Sequence, residues 1–414
     1  MGRRRVVITG MGLVTSLGED PEGVFQALLD GESGIRRITR FDPGDFDVQI
    51  GGEVWDFDPT SVLDPRLARR LDPFAQYALV GAQHAVDHAG LDFDRLDLMR
   101  VGVLVGSGIG GLNEIESQHM VLLNRGPGRI SPFMIPKLMA NAAAGQISIR
   151  FGARGPNAAA CTACASGANA IGDAFKLIQR DEADLMICGG TEAALTPMGL
   201  AGFCALKALS KRNDDPSAAS RPFDADRDGF VLGEGAGILI IEELEHARSR
   251  GAKVLAELIG YGMSGDGCHI TAPDPEGKGA ALAMNHAIAD AGLAPGDIDY
   301  INAHGTGTTL GDISECRAVH TTFGADAAGV AISSTKSNIG HLLGASGGVE
   351  LIFTVMMMKR GVVPPTINLE RPDPECALDC VAGGSRELAI RFAMSNSFGF
   401  GGHNVSLIVR AFEA

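Results

Sequence analysis

Short, strand-sized apolar runs separated by longer stretches of helical period restrict this chain more than any other feature in it. Residues 6–10, 101–105 (Val101-Gly102-Val103-Leu104-Val105) and 185–188 (Leu185-Met186-Ile187-Cys188) are nearly continuous in apolar side chains, whereas residues 74–89 read as a helix. Runs of the first kind suit strands covered on both faces. The expectation is an α/β protein with a buried sheet between helices. With 414 residues and 45% hydrophobic content, the chain can bury a large core as two domains or one duplicated unit.

Duplication has a local sign. Cys164-Ala165-Ser166-Gly167-Ala168 opens one apolar helical stretch, and Gly344-Ala345-Ser346-Gly347-Gly348 opens another. The first runs through Ile171, Phe175 and Ile178 to the strand at 185–188; the second runs through Leu351 and Val355 to Val362-Val363. A charged stretch from Glu242 to Arg250 precedes a strand expected at 254–259, which places a boundary near Gly251 and gives halves 1–250 and 251–414. No linker is rich in Pro or Ser, so packing is expected to fuse the halves.

Composition removes several classes of function. The basic start, Met1-Gly2-Arg3-Arg4-Arg5, runs straight into a strand, too short for a signal-peptide core. The longest apolar stretches, such as 351–358, fall short of the roughly 20 residues a membrane helix needs. A cytoplasmic or organelle-matrix protein with no membrane contact is expected. Eight scattered cysteines give no disulfide framework, and most should be buried thiols. A net charge of −15 argues against wholesale nucleic-acid binding. Local basic groups remain, Arg66, Arg69 and Arg70 in one place and Lys207, Lys211 and Arg212 in another.

Three islands carry chemistry. Cys164 lies in Ala163-Cys164-Ala165-Ser166-Gly167 just before a helical run, where free N–H groups and the helix dipole favour a thiolate that can attack a thioester. His304 follows the strand-like Tyr300-Ile301-Asn302, and His341 ends Lys336-Ser337-Asn338-Ile339-Gly340-His341 after a strand-like run at 330–334. Loops at strand ends are where α/β folds place chemistry. His84, His88, His246, His286 and His320 sit on helix-like stretches and read as structural.

Other patterns fit familiar signatures without their context. Cys161-Thr162-Ala163-Cys164 matches Cys-x-x-Cys but lacks a thioredoxin-like start or a second ligand pair, and leaves Cys161 as a buried neighbour. Gly106-Ser107-Gly108-Ile109-Gly110-Gly111 fits G-x-G-x-x-G without the acidic residue that a dinucleotide site requires. Gly344-Ala345-Ser346-Gly347-Gly348 fits G-x-S-x-G but follows the His341 loop, not a strand. Lys336 matches a Schiff-base or pyridoxal-phosphate lysine in residue type alone.

The islands, with Val6-Val7-Ile8-Thr9-Gly10-Met11-Gly12 and Asn396-Ser397-Phe398-Gly399-Phe400-Gly401-Gly402, resemble the β-ketoacyl-[acyl-carrier-protein] synthases over essentially the whole chain. The Gly106 to Gly111 loop and the phenylalanine pair are similar to the synthase II subclass. The resemblance implies a thiolase-like fold. Two similar halves, each a mixed five-stranded sheet between helices, would stack in five layers (αβαβα) with the two nucleophile-type helices central.

It also implies decarboxylative Claisen condensation of an acyl carrier with a malonyl carrier. Cys164 would hold the acyl group, His304 and His341 would hold the enolate, and Lys336 would orient the site in a pair with Glu315. The Phe400 N–H would join that of Cys164 as an oxyanion hole. Ile109, Phe203 and Phe398 would shape the acyl pocket, with Phe133 reaching it from a second subunit. Thr271, Thr306 and Thr308 would bind the phosphopantetheine arm, although Thr306-Gly307-Thr308-Thr309-Leu310 departs from the usual serine and proline.

The implied partners are an acidic acyl carrier protein, docked on the basic groups above, and a second copy of the chain. No resident cofactor or metal is implied. Two alternatives stay open, a ketosynthase of aromatic polyketide assembly and a silent chain-length partner, although the latter typically lacks the nucleophile. A thiolase fits less well, because Phe400 stands where thiolases carry a second cysteine.

Overall fold

The computed structural model describes residues 3–413. Ten strands form one hydrogen-bonded sheet: β1 (Val6–Val14), β2 (Val101–Gly106), β3 (Asn157–Ala158), β4 (Leu185–Glu192), β5 (Gly235–Glu243), β6 (Ala256–Gly265), β7 (Tyr300–Asn302), β8 (Ala331–Ser333), β9 (Phe392–Gly399) and β10 (His403–Arg410). β1 and β6 meet antiparallel at its middle, with Val6 opposite Leu258 and Ile8 opposite Ala256.

Outward from that joint the order is β1-β5-β4-β2-β3 on one side and β6-β10-β9-β7-β8 on the other. On each side the successive pairings are antiparallel, antiparallel, parallel, parallel. The same five-stranded topology therefore occurs twice.

Five helices matter for the site: α1 (Pro73–Ala89), α2 (Ser166–Gln179), α3 (Lys278–Ala291), α4 (Thr309–Phe323) and α5 (Ser346–Arg360). α1 is a good stop-and-start example: Asp72 caps it, Pro73 occupies its first turn, and Gly90 ends it at φ +60°. α1 packs on β1, β5 and β4, while α2 and α5 pack against each other and on strands of both sides. α3 covers β6 and β10, with α4 against it. The larger apolar clusters lie one under α1, one around α2 and α5, and one under α3 and α4, with a further cluster that contains Cys164, Phe230 and Leu343. Helices and sheet thus alternate in five layers.

The sequence echo is structural. Ala163 before Cys164 and Leu343 before Gly344 both take left-handed backbone, at φ +50° and +48°, costly for residues with a Cβ. Each bend delivers the chain into a central helix whose first residue is serine, Ser166 in α2 and Ser346 in α5. Small residues let these helices touch. A Cβ on Gly167 would stand 2.8 Å from Gly344 O, and one on Gly347 would stand 2.5 Å from Ala168 N. Gly167→Ala should cost about 1–3 kcal/mol by overpacking, read as a lower urea midpoint at unchanged m-value.

The echo ends sooner than its sequence suggests. Val362–Val363 is not the counterpart of β4; it pairs with Arg386–Glu387 in a separate two-stranded ladder. The topological counterpart is β9, reached after a long excursion of irregular chain. The strand expected at 254–259 begins at Ala256.

Candidate active site

Cys164 sits two residues before α2, on the bend made by Ala163. Ser166 Oγ accepts from Thr162 N at 2.9 Å and donates to Ala163 O at 2.6 Å, which ties that bend to the helix. The backbone N–H groups of Phe400 and of Cys164 itself lie close enough to the Cys164 sulfur to favour its charged form. Gly399 makes the approach feasible, because a Cβ there would lie 2.7 Å from Thr162 O.

His304 leaves the end of β7 and His341 follows the short helix Lys336–Ile339. Their rings stand edge to face with centroids 5.2 Å apart. Phe230 flanks His341 at 5.3 Å and Phe398 flanks His304 at 5.7 Å. The backbone holds each imidazole in place. The N–H groups of His304 and Gly305 donate to Glu315 at 2.8 and 2.7 Å, and His341 N–H donates to Val231 O at 2.7 Å. Cys164, both histidines, Phe398 and Phe400 line one cavity of ≈ 90 Å³, together with Thr271, Thr306 and Thr308. A shallower hollow lined by Lys207, Thr309 and Leu310 shares the Thr271, Thr308 and Phe400 wall and forms its mouth.

A buried thiol, an N–H pair beside it and two imidazoles on one small cavity make an acyl-transfer site. Residues 3–247 match the family described as Beta-ketoacyl synthase, N-terminal domain, and residues 255–370 match Beta-ketoacyl synthase, C-terminal domain. The chain belongs to the β-ketoacyl synthase family. Among curated relatives of this synthase, 3-oxoacyl-[acyl-carrier-protein] synthase 2 of Synechocystis sp. is 54% identical over 411 residues, 99% of each chain. Two solved structures cover the full length of both chains. The ishigamide ketosynthase/chain length factor superposes at TM-score 0.94 with 35% identity. The complex of a type II PKS acyl-carrier protein with its ketosynthase, bound to the hexaketide, superposes at 0.92 with 32% identity. The duplicated sheet in five layers is accordingly the thiolase-like ketosynthase fold.

The synthase corrects one expected pairing. Lys336 is buried and its ammonium lies against Glu350 Oε1 on α5, not against Glu315. Glu315, on α4, instead spends both carboxylate oxygens on the N–H groups of the His304 loop. Burial pushes the Glu350 carboxyl up to about 7, with the Lys336 charge pulling the other way.

The expected pocket residues divide. Phe398 and the three threonines line the cavity, and Phe203 packs edge-on against Phe230 at 5.5 Å, one ring removed from His341. Ile109 and Phe133 do not reach their own chain's cavity. Ile109 is 37% exposed, and Phe133 is 42% exposed with the Arg70 guanidinium 5.0 Å above its ring.

Arg66, Arg69 and Arg70 are all exposed, but the helix there is only Pro65–Ala68, so Arg69 caps it and Arg70 lies beyond. Lys207 is at the mouth, Lys211 pairs with Asp47 at 2.6 Å, and Arg212 is half-buried. Cys161 is exposed, not buried, with its sulfur 3.6 Å from Gly108 O. His269 shapes the Thr271 loop, because its Nδ1 accepts from the N–H groups of Thr271 and Ala272 at 3.1 and 2.9 Å.

Nothing in the sequence singles out Glu192, yet it explains the false dinucleotide signature. Its buried carboxylate, at the end of β4, accepts from Ser107 Oγ and from the N–H groups of Gly108, Ile109 and Gly344. The N–H groups that would cradle a phosphate in a nucleotide-binding protein are already taken by this internal carboxyl group, which burial pushes above its usual range. Phe230 and Glu350 escape sequence reasoning as well. Neither lies in a motif, and only their contacts in three dimensions mark them.

Burial decides the protonation states. It pushes the Cys164 thiol up to about 12, although the Phe400 N–H and the Lys336 charge oppose it, so the resting nucleophile is a thiol and not the expected thiolate. Both imidazoles are held well below the usual 6.5, first by burial and then by Lys336, and are neutral. The unfolded chain takes up these protons near pH 6.5 while the folded protein does not. The histidine contribution to stability is therefore complete above that pH and is lost as pH falls below it, by up to about 1.4 kcal/mol per unit for each group. Urea midpoints should drop between about pH 7.5 and 5.5, and His341→Asn should flatten the drop.

Proposed function

We propose that the chain condenses an acyl-carrier thioester with a malonyl-carrier thioester to give a β-ketoacyl carrier two carbons longer, the elongation step of fatty-acid synthesis. The observation that carries this reading is the meeting of Cys164, the Phe400 N–H and two neutral imidazoles on one cavity. Cys164 Sγ attacks the acyl carbon, the carrier thiol leaves with the proton, and the two N–H groups hold the oxyanion. Malonyl carrier then loses carbon dioxide. The electron pair left behind becomes an enolate whose oxygen accepts from His304 and His341, and its carbon attacks the Cys164 thioester, expelling the thiolate. Residues 1–250 form the half carrying the nucleophile and residues 251–414 the half carrying the imidazoles.

The carrier delivers its substrate on a phosphopantetheine arm that lies against Thr271, Thr306 and Thr308. Lys207 at the mouth and the exposed Arg66, Arg69 and Arg70 supply positive charge for an acidic carrier, in a chain whose net charge is −15. The protein acts as a homodimer in the cytoplasm. β3 is an exposed edge strand at one end of the sheet, and exposed apolar side chains occur at Phe133, Ile135 and Met139 within one segment and at Ile109 in the Gly106–Gly111 loop. A second copy covers both and brings its Phe133 to the acyl pocket.

The polyketide reading rests on the likeness to the two solved ketosynthases above. Product analysis separates the two. Acyl carriers of graded length with malonyl carrier, and no reductase, should give one β-keto product lengthened by two carbons. Repeated extension to poly-β-keto chains would contradict fatty-acid elongation.

A further inference from the structure

The G-x-S-x-G segment has no part in the reaction just described, yet its serine reaches the site. Ser346 Oγ lies 3.0 Å from His341 Nδ1, and both residues are buried. His341 Nδ1 is the one hydrogen-bond partner of that hydroxyl among the described residues. Two arrangements are available. If Nδ1 carries the proton, Ser346 accepts it, the serine's own hydrogen is stranded, and Nε2 faces the cavity as a bare acceptor. If Ser346 donates, both groups are satisfied and Nε2–H faces the cavity as a donor.

We propose that Ser346 is a positioning residue that donates its hydroxyl hydrogen to His341 Nδ1 and so fixes the Nε2–H form that meets the enolate oxygen. This rests on the condensation proposed above. The placement has a counterpart: Ser166, the first residue of α2, ties down the bend carrying Cys164, and Ser346, the first residue of α5, ties down His341. His304 has no such support among the described residues. Its Nδ1 is buried without a partner among them, and its position comes from the backbone bonds to Glu315. The two imidazoles are therefore not interchangeable, and His341 is the one whose tautomer is set by a side chain.

The first test uses the unsubstituted protein labelled with ¹⁵N-histidine, with His341 assigned by its loss in His341→Asn. A proton on Nε2 and a hydrogen-bonded, unprotonated Nδ1 are expected; a proton on Nδ1 overturns the proposal. The second compares Cys164 acylation with carbon dioxide release from malonyl carrier. Ser346→Ala should slow release by about tenfold or more while acylation falls far less, and Ser346→Thr, which keeps the hydroxyl, should recover most of the loss. Release at the normal rate in Ser346→Ala overturns this proposal alone. An unsubstituted protein that releases none overturns the condensation reading, and this proposal with it.

Discussion

Cys164→Ala loses condensation by at least about 10⁴-fold and keeps the decarboxylation of malonyl carrier. The first part follows because no other thiol can take over: Cys161 is exposed with its sulfur turned to Gly108 O, and neither it nor any other cysteine among the described residues lines the cavity. The second follows because the groups that hold the enolate stand on the opposite half of the site. His304 is fixed through Glu315 and His341 through Val231 and Ser346, and none of these contacts passes through Cys164. Carbon dioxide release measured beside product formation checks both parts.

Removing an imidazole gives the converse pattern. His341→Ala and His304→Ala should each slow decarboxylation by about 10²–10³-fold, the range for deleting one donor to a developing oxyanion. Cys164 acylation should persist in both, since that oxyanion is held by the N–H groups of Phe400 and Cys164. The loss should not be repaired by lower pH. Both rings are kept neutral by burial and by Lys336, so the donor is a neutral N–H throughout the ordinary range. Single-turnover acylation and carbon dioxide release in the two variants separate the steps.

Much of this site is legible in sequence because its reactive residues sit beside strand ends and glycines. The strand Tyr300–Asn302 and the helix around residues 74–89 can be read from apolar runs, and the Cys164 and His304 islands follow from what comes next to them. The echo between Cys164 and Gly344 points to the repeat that the strand order then displays. What sequence does not supply is partnership across the fold. The family resemblance pairs Lys336 with Glu315, which is close to His304 along the chain, whereas the actual partner, Glu350, lies inside a largely apolar helix where nothing local marks it. Burial has the same effect on Cys164: a helix start favours a thiolate, but exclusion of water outweighs it. Val362–Val363 looks like a core strand because its residues are β-branched, yet among the described residues its strand pairing is with a two-residue ladder outside the main sheet.

The most direct test of this mechanism is intact-protein mass spectrometry after mixing the chain with acyl carrier and then with malonyl carrier. The expected result is an acyl adduct confined to Cys164, absent in Cys164→Ala, that malonyl carrier discharges into a β-ketoacyl carrier two carbons longer. An adduct on another residue, or a Cys164 adduct that malonyl carrier leaves in place, would contradict it.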